Sequence, residues 1–256
     1  MTVDEIVTEL KSGKDEKALA GMARYGINVG KAYGWSVPDV RALGKRIVKE
    51  SGRKDPSRHD LALDLWETGI HEARLLAAMV DMPESVTEDQ MEVWVLDLDS
   101  WDVCDQLCNN LFVYTSWAWP KAVEWSERQE EFVKRAGFAL MAVLAWHDKQ
   151  SPDERFLPLL AAIEREAGDG RNFVKKAVNW ALRNIGKRNL ALNQAALACA
   201  ERILDAANRR TGGERGGDQA ARAARWVATD AIRELGSAKV RARLARRTIP
   251  ASPATG

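Results

Sequence analysis

Two similar segments decide the fold: Glu131-Phe132-Val133-Lys134-Arg135-Ala136 and Asn172-Phe173-Val174-Lys175-Lys176-Ala177. They begin about 41 residues apart, which lies within the period of HEAT and armadillo repeats. Each such repeat is a pair of helices that stacks on the next pair, and the stack builds a curved solenoid with a concave face. The repetition therefore predicts stacked helical pairs. The alternative is a coincidental match within an irregular helical bundle.

The rest of the chain shows the same helical spacing of apolar residues, whereas alternating Val/Ile-rich stretches are scarce. The spacing predicts helices near 37–50, 61–66, 70–80, 87–96, 101–114, 130–147, 153–167, 172–185, 190–207 and 219–235. We therefore expect an all-α fold in which residues 1–240 form a single HEAT-like repeat domain. The glycine-rich stretch 211–217 is predicted to be a mobile loop, and the basic segment 241–256 a frayed tail.

Composition places the chain among soluble globular proteins, since 46% of its 256 residues are apolar and 29% are charged. A formal net charge of +1 does not by itself indicate a nucleic-acid partner, so clustering of charge must be judged locally. Three cysteines are too few for a disulfide framework and fit a reducing cytosol. No apolar signal core and no run of 18 apolar residues is present, so we expect a cytoplasmic protein without membrane contact. The three histidines show no ligand spacing with the cysteines, and no metal is expected.

The segment Asp99-Ser100-Trp101-Asp102-Val103-Cys104-Asp105 is the first candidate for chemistry. It places Trp101 and Asp105 four residues apart at the start of a predicted helix, and residues so spaced share one helical face. An indole beside a carboxylate suits a cationic, ring-shaped substrate. The alternative is that Trp101 belongs to the core and Asp105 to the surface.

A second candidate is a basic stripe on the helix that follows Asn172. Lys176, Trp180, Arg183 and Lys187 share one face of this helix, opposite its apolar residues. Cations with an embedded aromatic are typical of a surface that contacts phosphates and stacks on bases. A solvated charged face with a boundary Trp is the alternative. In the similar helix near 130–147, Lys134 and Arg135 lie beside the inward stripe, and Arg135 corresponds to Lys176. The repetition predicts that both face one concave basic cleft.

The sequence resembles the AlkD-type DNA alkylation repair glycosylases, which are built of HEAT-like repeats. The resemblance covers roughly residues 17–235. Its motifs are Met22-Ala23-Arg24-Tyr25, Val37-Pro38-Asp39-Val40-Arg41, Ser100-Trp101-Asp102-Val103-Cys104-Asp105, Phe132-Val133-Lys134-Arg135-Ala136 and Phe173-Val174-Lys175-Lys176-Ala177-Val178-Asn179-Trp180-Ala181-Leu182-Arg183. It implies hydrolysis of the N-glycosylic bond of N3- or N7-alkylated purines in double-stranded DNA. It also implies a monomer that leaves the lesion stacked in the duplex and needs no cofactor.

The resemblance also assigns roles to individual residues. Asp105 matches the family's catalytic aspartate, and Trp101 and Trp180 match two tryptophans that border the deoxyribose of the lesion. Arg135 matches an arginine that contacts the backbone near the lesion, and Tyr25 matches an aromatic residue at the cleft.

The chain departs from the family pattern at two places. These are Gly26-Ile27-Asn28-Val29 and Ser100, where the family can carry a second Trp.

Lys176, Arg183, Lys187 and Lys134 are the predicted contacts to the DNA backbone. No lysine stands out as a Schiff-base nucleophile, so we expect base excision without strand cleavage. Two alternatives remain: a DNA-binding solenoid without catalysis, and a protein-interaction scaffold. Convergence of the basic residues on one concave surface with Trp101 and Trp180 would favour DNA over a protein partner.

Overall fold

The computed structural model describes residues 1–210 and 218–248. Within these residues the chain forms fourteen α-helices and two short 3-10 turns, and it contains no β-strand. The prediction of an all-α fold is therefore confirmed. The predicted glycine-rich loop at 211–217 lies outside the described residues. None of the described helices is long and apolar enough to cross a membrane.

Contacts between Cα atoms divide the chain into two compact units, unit 1 (Met1–Ala118) and unit 2 (Trp119–Gly256). The expectation of one continuous domain over residues 1–240 stays a prediction.

Unit 1 is built from seven helices and a short turn, and side chains cap several of the helix starts. Its elements are α1 Val3–Ser12, α2 Glu16–Arg24, α3 Val37–Ser51, α4 Ser57–Glu67, α5 His71–Val80, α6 Glu88–Leu96, α7 Trp101–Asn110 and a 3-10 turn at Phe112–Tyr114. Thr2 and Glu5 form a reciprocal capping box at α1. At α6, Thr87 Oγ1 accepts from the Gln90 amide, but the Gln90 side chain donates to Asp81 instead. At α6 the reciprocal half of a capping box therefore does not form.

Helix α5 is the buried centre of unit 1 and packs against α3, α4 and α7. Its apolar side chains, such as Leu76 and Val80, are fully buried. Glu72, on the same helix, is also fully buried, and its carboxylate accepts hydrogen bonds from three successive backbone amides: Tyr33, Gly34 and Trp35. A buried carboxylate is stable only when it is hydrogen-bonded in this way, so Glu72 fixes the loop before α3 onto α5.

Unit 2 arranges its helices in two layers. Its elements are α8 Ala118–Ser126, α9 Glu131–His147, a 3-10 turn at Asp153–Arg155, α10 Leu157–Glu166, α11 Asn172–Gly186, α12 Leu190–Arg210, α13 Gln219–Leu235 and α14 Ala238–Thr248. Helices α9, α11 and α13 lie side by side in one layer, because α11 packs against both of the others. Helices α10 and α12 pack together behind them.

Corresponding positions of α9 and α11 meet in the stack, as the sequence repeat requires. The rings of Phe132 and Phe173 stack with centroids 5.6 Å apart. Further along, Asn184 Nδ2 donates to the Ala142 carbonyl oxygen at 3.0 Å. The two similar segments are thus equivalent elements of neighbouring helical pairs, and the repeat prediction is confirmed.

Several predicted boundaries differ from the structure, and three of these differences have a local cause. Helix α7 ends at Asn110, whose side-chain amide donates to the carbonyl oxygen of Gln106 in its own last turn. The helix expected from 153 starts as a 3-10 turn, because Pro158 fits only the first turn of α10. The tail predicted to be frayed from Arg241 is helical as far as Thr248, because Val240 and Leu244 are buried and anchor α14. Residues 249–256 lie outside the described part of the chain.

Candidate functional site

The start of α7 is shaped by a loop that follows α2. Ser100 is the N-cap of α7 and is fully buried, but its hydroxyl makes no cap bond to the helix. Instead, Ser100 Oγ accepts from the Asn28 backbone amide at 2.7 Å, and Asn28 Nδ2 donates to Asp99 Oδ2 at 2.6 Å. The loop at Asn28 is therefore held against the residues that lead into α7.

Trp101 and Tyr25, two of the predicted site residues, are direct neighbours in unit 1. The indole Nε1 of Trp101 donates to the carbonyl oxygen of Tyr25 at 2.9 Å. Tyr25 caps the C-terminus of α2, and the residue itself is 75% exposed. Gly26 follows with φ of 74°, a left-handed conformation that favours glycine, and turns the chain towards Asn28. The Tyr25 ring is thus presented at the surface beside the first residue of α7.

Asp105 lies one helical turn after Trp101 and, like Trp101, is half-buried. The residues on the opposite side of this turn, Val103, Cys104 and Leu107, are buried in the core of unit 1. Arg41 fixes α7 from the side, since its guanidinium donates to Asn110 Oδ1 at 2.9 Å and to Gln106 Oε1 at 3.1 Å. Trp101 is therefore neither a core residue nor a fully exposed one, and it shares an accessible helical face with Asp105.

In unit 2, the stripe on α11 is only partly available to a partner. Lys176 is exposed and Trp180 is half-buried. Arg183 Nη1 lies 2.5 Å from Glu234 Oε2, and Lys187 Nζ lies 2.8 Å from Glu234 Oε1. Both cations are thus paired with a carboxylate of α13, which sequence spacing did not reveal.

Burial raises the pKa of Glu234, but the hydrogen bonds and charges of Lys187 and Arg183 outweigh it and hold the pKa below its ordinary value. The Glu234 carboxylate therefore stays ionised at neutral pH and balances charge on α11.

Lys134 and Arg135 do not share the exposure of Lys176. Lys134 is 4% exposed, and its ammonium group lies 2.6 Å from a carboxylate oxygen of Glu166. Arg135 is 5% exposed and donates from Nη1 to the carbonyl oxygen of Phe173 at 2.6 Å. The expectation that Arg135 and Lys176 present equivalent side chains to one surface is not met, because Arg135 reaches across to the first turn of α11. Its role at the DNA backbone stays a prediction.

Comparison with known proteins identifies the family. The family model described as DNA alkylation repair enzyme matches residues 6–235. The chain belongs to this family.

The chain has the same fold as a solved structure. That structure is described as belonging to a new family of proteins related to the HEAT-like repeat DNA glycosylases, with affinity for branched DNA structures. The TM-score is 0.64 and the sequence identity is 18%, with 78% of this chain and 83% of that chain covered. At this identity the likeness shows the HEAT-like repeat fold alone. No curated protein sequence matched the chain.

In this DNA alkylation repair family member, a histidine that sequence reasoning missed lies beneath the α7 start. His71 is buried, and its Nε2 lies 3.0 Å from Asp102 Oδ2. Burial lowers the pKa of His71, but the hydrogen bond to Asp102 and the nearby carboxylates of Asp102, Glu72 and Asp99 outweigh it and raise the pKa above 6.5. Asp102 directly follows Trp101, so this ion pair ties the first turn of α7 to α5.

The two departures of this family member from the AlkD-type pattern also contact each other. Ser100 and the Gly26–Val29 segment meet through the hydrogen bond from the Asn28 amide to Ser100 Oγ. A small hydroxyl at position 100 therefore allows the loop to approach α7 closely. At this surface Asp105 offers a carboxylate, and Trp101 and Tyr25 offer two aromatic rings.

Proposed function

We propose that this protein is a DNA glycosylase that hydrolyses the N-glycosylic bond of N3- or N7-alkylated purines in duplex DNA. The observation that carries the proposal is the arrangement at the start of α7, where Trp101 contacts Tyr25 and shares an accessible face with Asp105. Membership of the DNA alkylation repair enzyme family supports it.

The proposed reaction requires little catalytic assistance from the protein at the purine base. An N3- or N7-alkylated purine is already cationic, so it leaves without a general acid. The slow part is the formation of positive charge on the deoxyribose, as in the oxocarbenium-like transition state of glycoside hydrolysis. Asp105 would stabilise this charge and position the attacking water, because a preorganised carboxylate stabilises a cationic transition state more than the ground state. The electron-rich face of Trp101 favours the same charge.

We further propose that the lesion stays stacked in the duplex and that the DNA strand is not cut. In unit 2, the exposed Lys176 beside Trp180 is the best placed of the predicted backbone contacts, because Arg183, Lys187 and Lys134 are already paired with carboxylates.

The test is release of 7-methylguanine from methylated duplex DNA by the wild-type chain and by Asp105→Asn. We expect a loss of about a hundredfold or more in the single-turnover rate, which corresponds to roughly 3 kcal/mol of transition-state stabilisation. Asp64→Asn is the matched control, because this exposed carboxylate of α4 is proposed to have no part in the reaction, and its rate should stay within a few-fold of wild type. Equal release by Asp105→Asn and wild type would contradict the mechanism.

A second candidate function is binding of DNA without base release. It is favoured by the likeness to a structure whose family is described as having affinity for branched DNA structures. Binding of a four-way junction more tightly than of a linear duplex, with no release of 7-methylguanine, would support this candidate over the glycosylase.

A further inference from the structure

The last described helix of unit 2 is firmly packed on one side. Ser237 Oγ accepts from the Val240 amide at 3.3 Å, which caps the start of α14, and α14 packs against α12 and α13. Val240 and Leu244 are 8% and 0% exposed, respectively. The orientation of α14 is therefore fixed by its apolar side.

The other side of α14 carries a row of cations. Lys239, Arg243 and Arg246 follow the spacing i, i+4 and i+7, which places them on one helical face, and all three are exposed. Together with Lys187, the C-cap residue of α11, they line a cavity of about 600 Å³. Within the described part of the chain, none of the three forms an ion pair with a carboxylate. We call this row the α14 basic face.

The charge around the cavity is strongly unbalanced. Among the described residues that line it, four are cationic and one, Glu234, is acidic. The Glu234 carboxylate is held by Lys187 and Arg183, so it does not neutralise the α14 basic face. None of the lining residues in the described part of the chain is aromatic. The site therefore suits phosphate groups rather than stacked bases.

We propose that the α14 basic face binds the phosphodiester backbone of duplex DNA. From Lys239 to Arg246 the helix rises about 10 Å, which matches about three phosphates of one strand measured along the duplex axis. Two of the three residues are arginines, which bind phosphate oxygens in a bidentate manner. The family match ends at residue 235, so α14 would add a contact beyond the part of the chain that defines the family.

The proposal rests on the DNA binding of the proposed function, but it does not depend on base release. The test variant is the full-length chain with K239Q, R243Q and R246Q. The matched control removes the same charge from unit 1 through K11Q, K45Q and K49Q, three exposed lysines. Affinity for an undamaged duplex is measured at several salt concentrations, and single-turnover release of 7-methylguanine is measured at saturating DNA.

We expect the α14 variant to lose affinity and to lower the slope of log affinity against log salt by about 0.9 for each phosphate contact removed. The control should keep a slope close to wild type. Base release at saturating DNA should be unchanged in both variants. Hydrogen exchange of the wild-type chain should show α14 protected when duplex DNA is added.

The possible outcomes distinguish the α14 proposal from the proposed glycosylase activity. A slope and affinity equal to those of the control, or no protection of α14, would overturn the α14 proposal even if base release is normal. A reduced slope in a chain that releases no base would support the α14 proposal and reject the glycosylase. Absence of measurable duplex binding by the wild-type chain would overturn both.

Discussion

At the scale of single residues, the hydroxyl of Ser100 joins two segments that lie far apart in the chain. Ser100 is fully buried, and its hydroxyl accepts a hydrogen bond from the backbone amide of Asn28 in the loop between α2 and α3. This half-buried hydrogen bond holds the loop against the residue that precedes α7.

Ser100→Ala should therefore lower the free energy of unfolding by about 0.5–1.5 kcal/mol, the usual net contribution of one intramolecular hydrogen bond. It should also loosen the loop that carries Tyr25. Chemical denaturation measures the first effect. Ser116→Ala, at an exposed serine, is the control and should change stability by less than about 0.5 kcal/mol. Equal effects of the two substitutions would show that the bond from Asn28 is unimportant.

His71 gives a prediction about pH. Its pKa is raised in the folded state, since the surrounding carboxylates of Asp102, Glu72 and Asp99 outweigh burial. A group with a raised folded-state pKa stabilises the protein fully below its unfolded pKa, near 6.5, and this contribution disappears as pH rises through the folded-state pKa.

The free energy of unfolding of wild type relative to His71→Gln should therefore fall as pH rises from about 6.5. The pKa of His147 is lowered by burial and by Lys149, so its contribution has the opposite sign, and the difference between the two proteins isolates His71. Denaturation curves across this pH range provide the measurement. A difference that stays constant or grows with pH would contradict the assignment.

These residues also show which contacts the sequence pattern does not predict. The shared face of Trp101 and Asp105 follows from helical spacing alone, and the prediction agrees with the structure. The contacts of Trp101 with Tyr25 and of His71 with Asp102 join segments far apart in the chain. Only the resemblance to a family placed Tyr25 near the site, and nothing in the local pattern distinguished His71 from an ordinary core histidine.

At the scale of elements, close packing of α8 on α9 rests on one glycine. A Cβ atom at Gly137 would lie 2.5 Å from the Ser126 amide nitrogen and 2.9 Å from the Trp125 carbonyl carbon. Both are backbone atoms, so the helices themselves would have to move apart. At Gly21 in α2, by contrast, an added Cβ atom would have no neighbour within 4 Å.

Gly137→Ala should accordingly destabilise the protein by about 1–3 kcal/mol or more through overpacking. Gly21→Ala, which adds the same methyl group, should leave stability unchanged or raise it by up to about 1 kcal/mol, because alanine favours the helix. Thermal or chemical unfolding of both variants distinguishes the cases. Similar stability of Gly137→Ala and wild type would contradict the close packing of α8 on α9.

The elements that were predicted well are those whose apolar residues repeat over several turns. Helices α9 and α11 were expected from their similarity, and they meet at Phe132 and Phe173. Helix α14 was missed because only Val240 and Leu244 mark its buried side, and its many arginines are also typical of a disordered tail. Packing of those two residues against unit 2 decides the conformation, and a local pattern does not contain that information.

At the scale of the whole molecule, stability owes nothing to disulfides. Cys104, Cys108 and Cys199 are fully buried and form no disulfide. Burial, with a smaller contribution from Glu164, raises the pKa of the Cys199 thiol to about 12. The reactive thiolate is therefore scarce at neutral pH in the folded protein.

We expect the native protein to react slowly with a thiol-specific reagent, and all three thiols to react after unfolding in denaturant. The labelling rate should follow the opening of the fold, and reducing agent should leave the melting temperature unchanged. Rapid labelling of the native chain, or a melting temperature that depends on reductant, would contradict this account of the core.

The pairing of Glu234 with Arg183 and Lys187 has a consequence for how binding data are read. Glu234 acts as an internal counter-ion, so a phosphate that approached these two cations would have to displace it. The released carboxylate would then attract a cation from solution, which offsets part of the ion release that accompanies binding. The salt dependence of DNA affinity would therefore count fewer contacts than the protein makes. Glu234→Gln should steepen that dependence, and comparison with wild type would reveal how many contacts the internal carboxylate conceals.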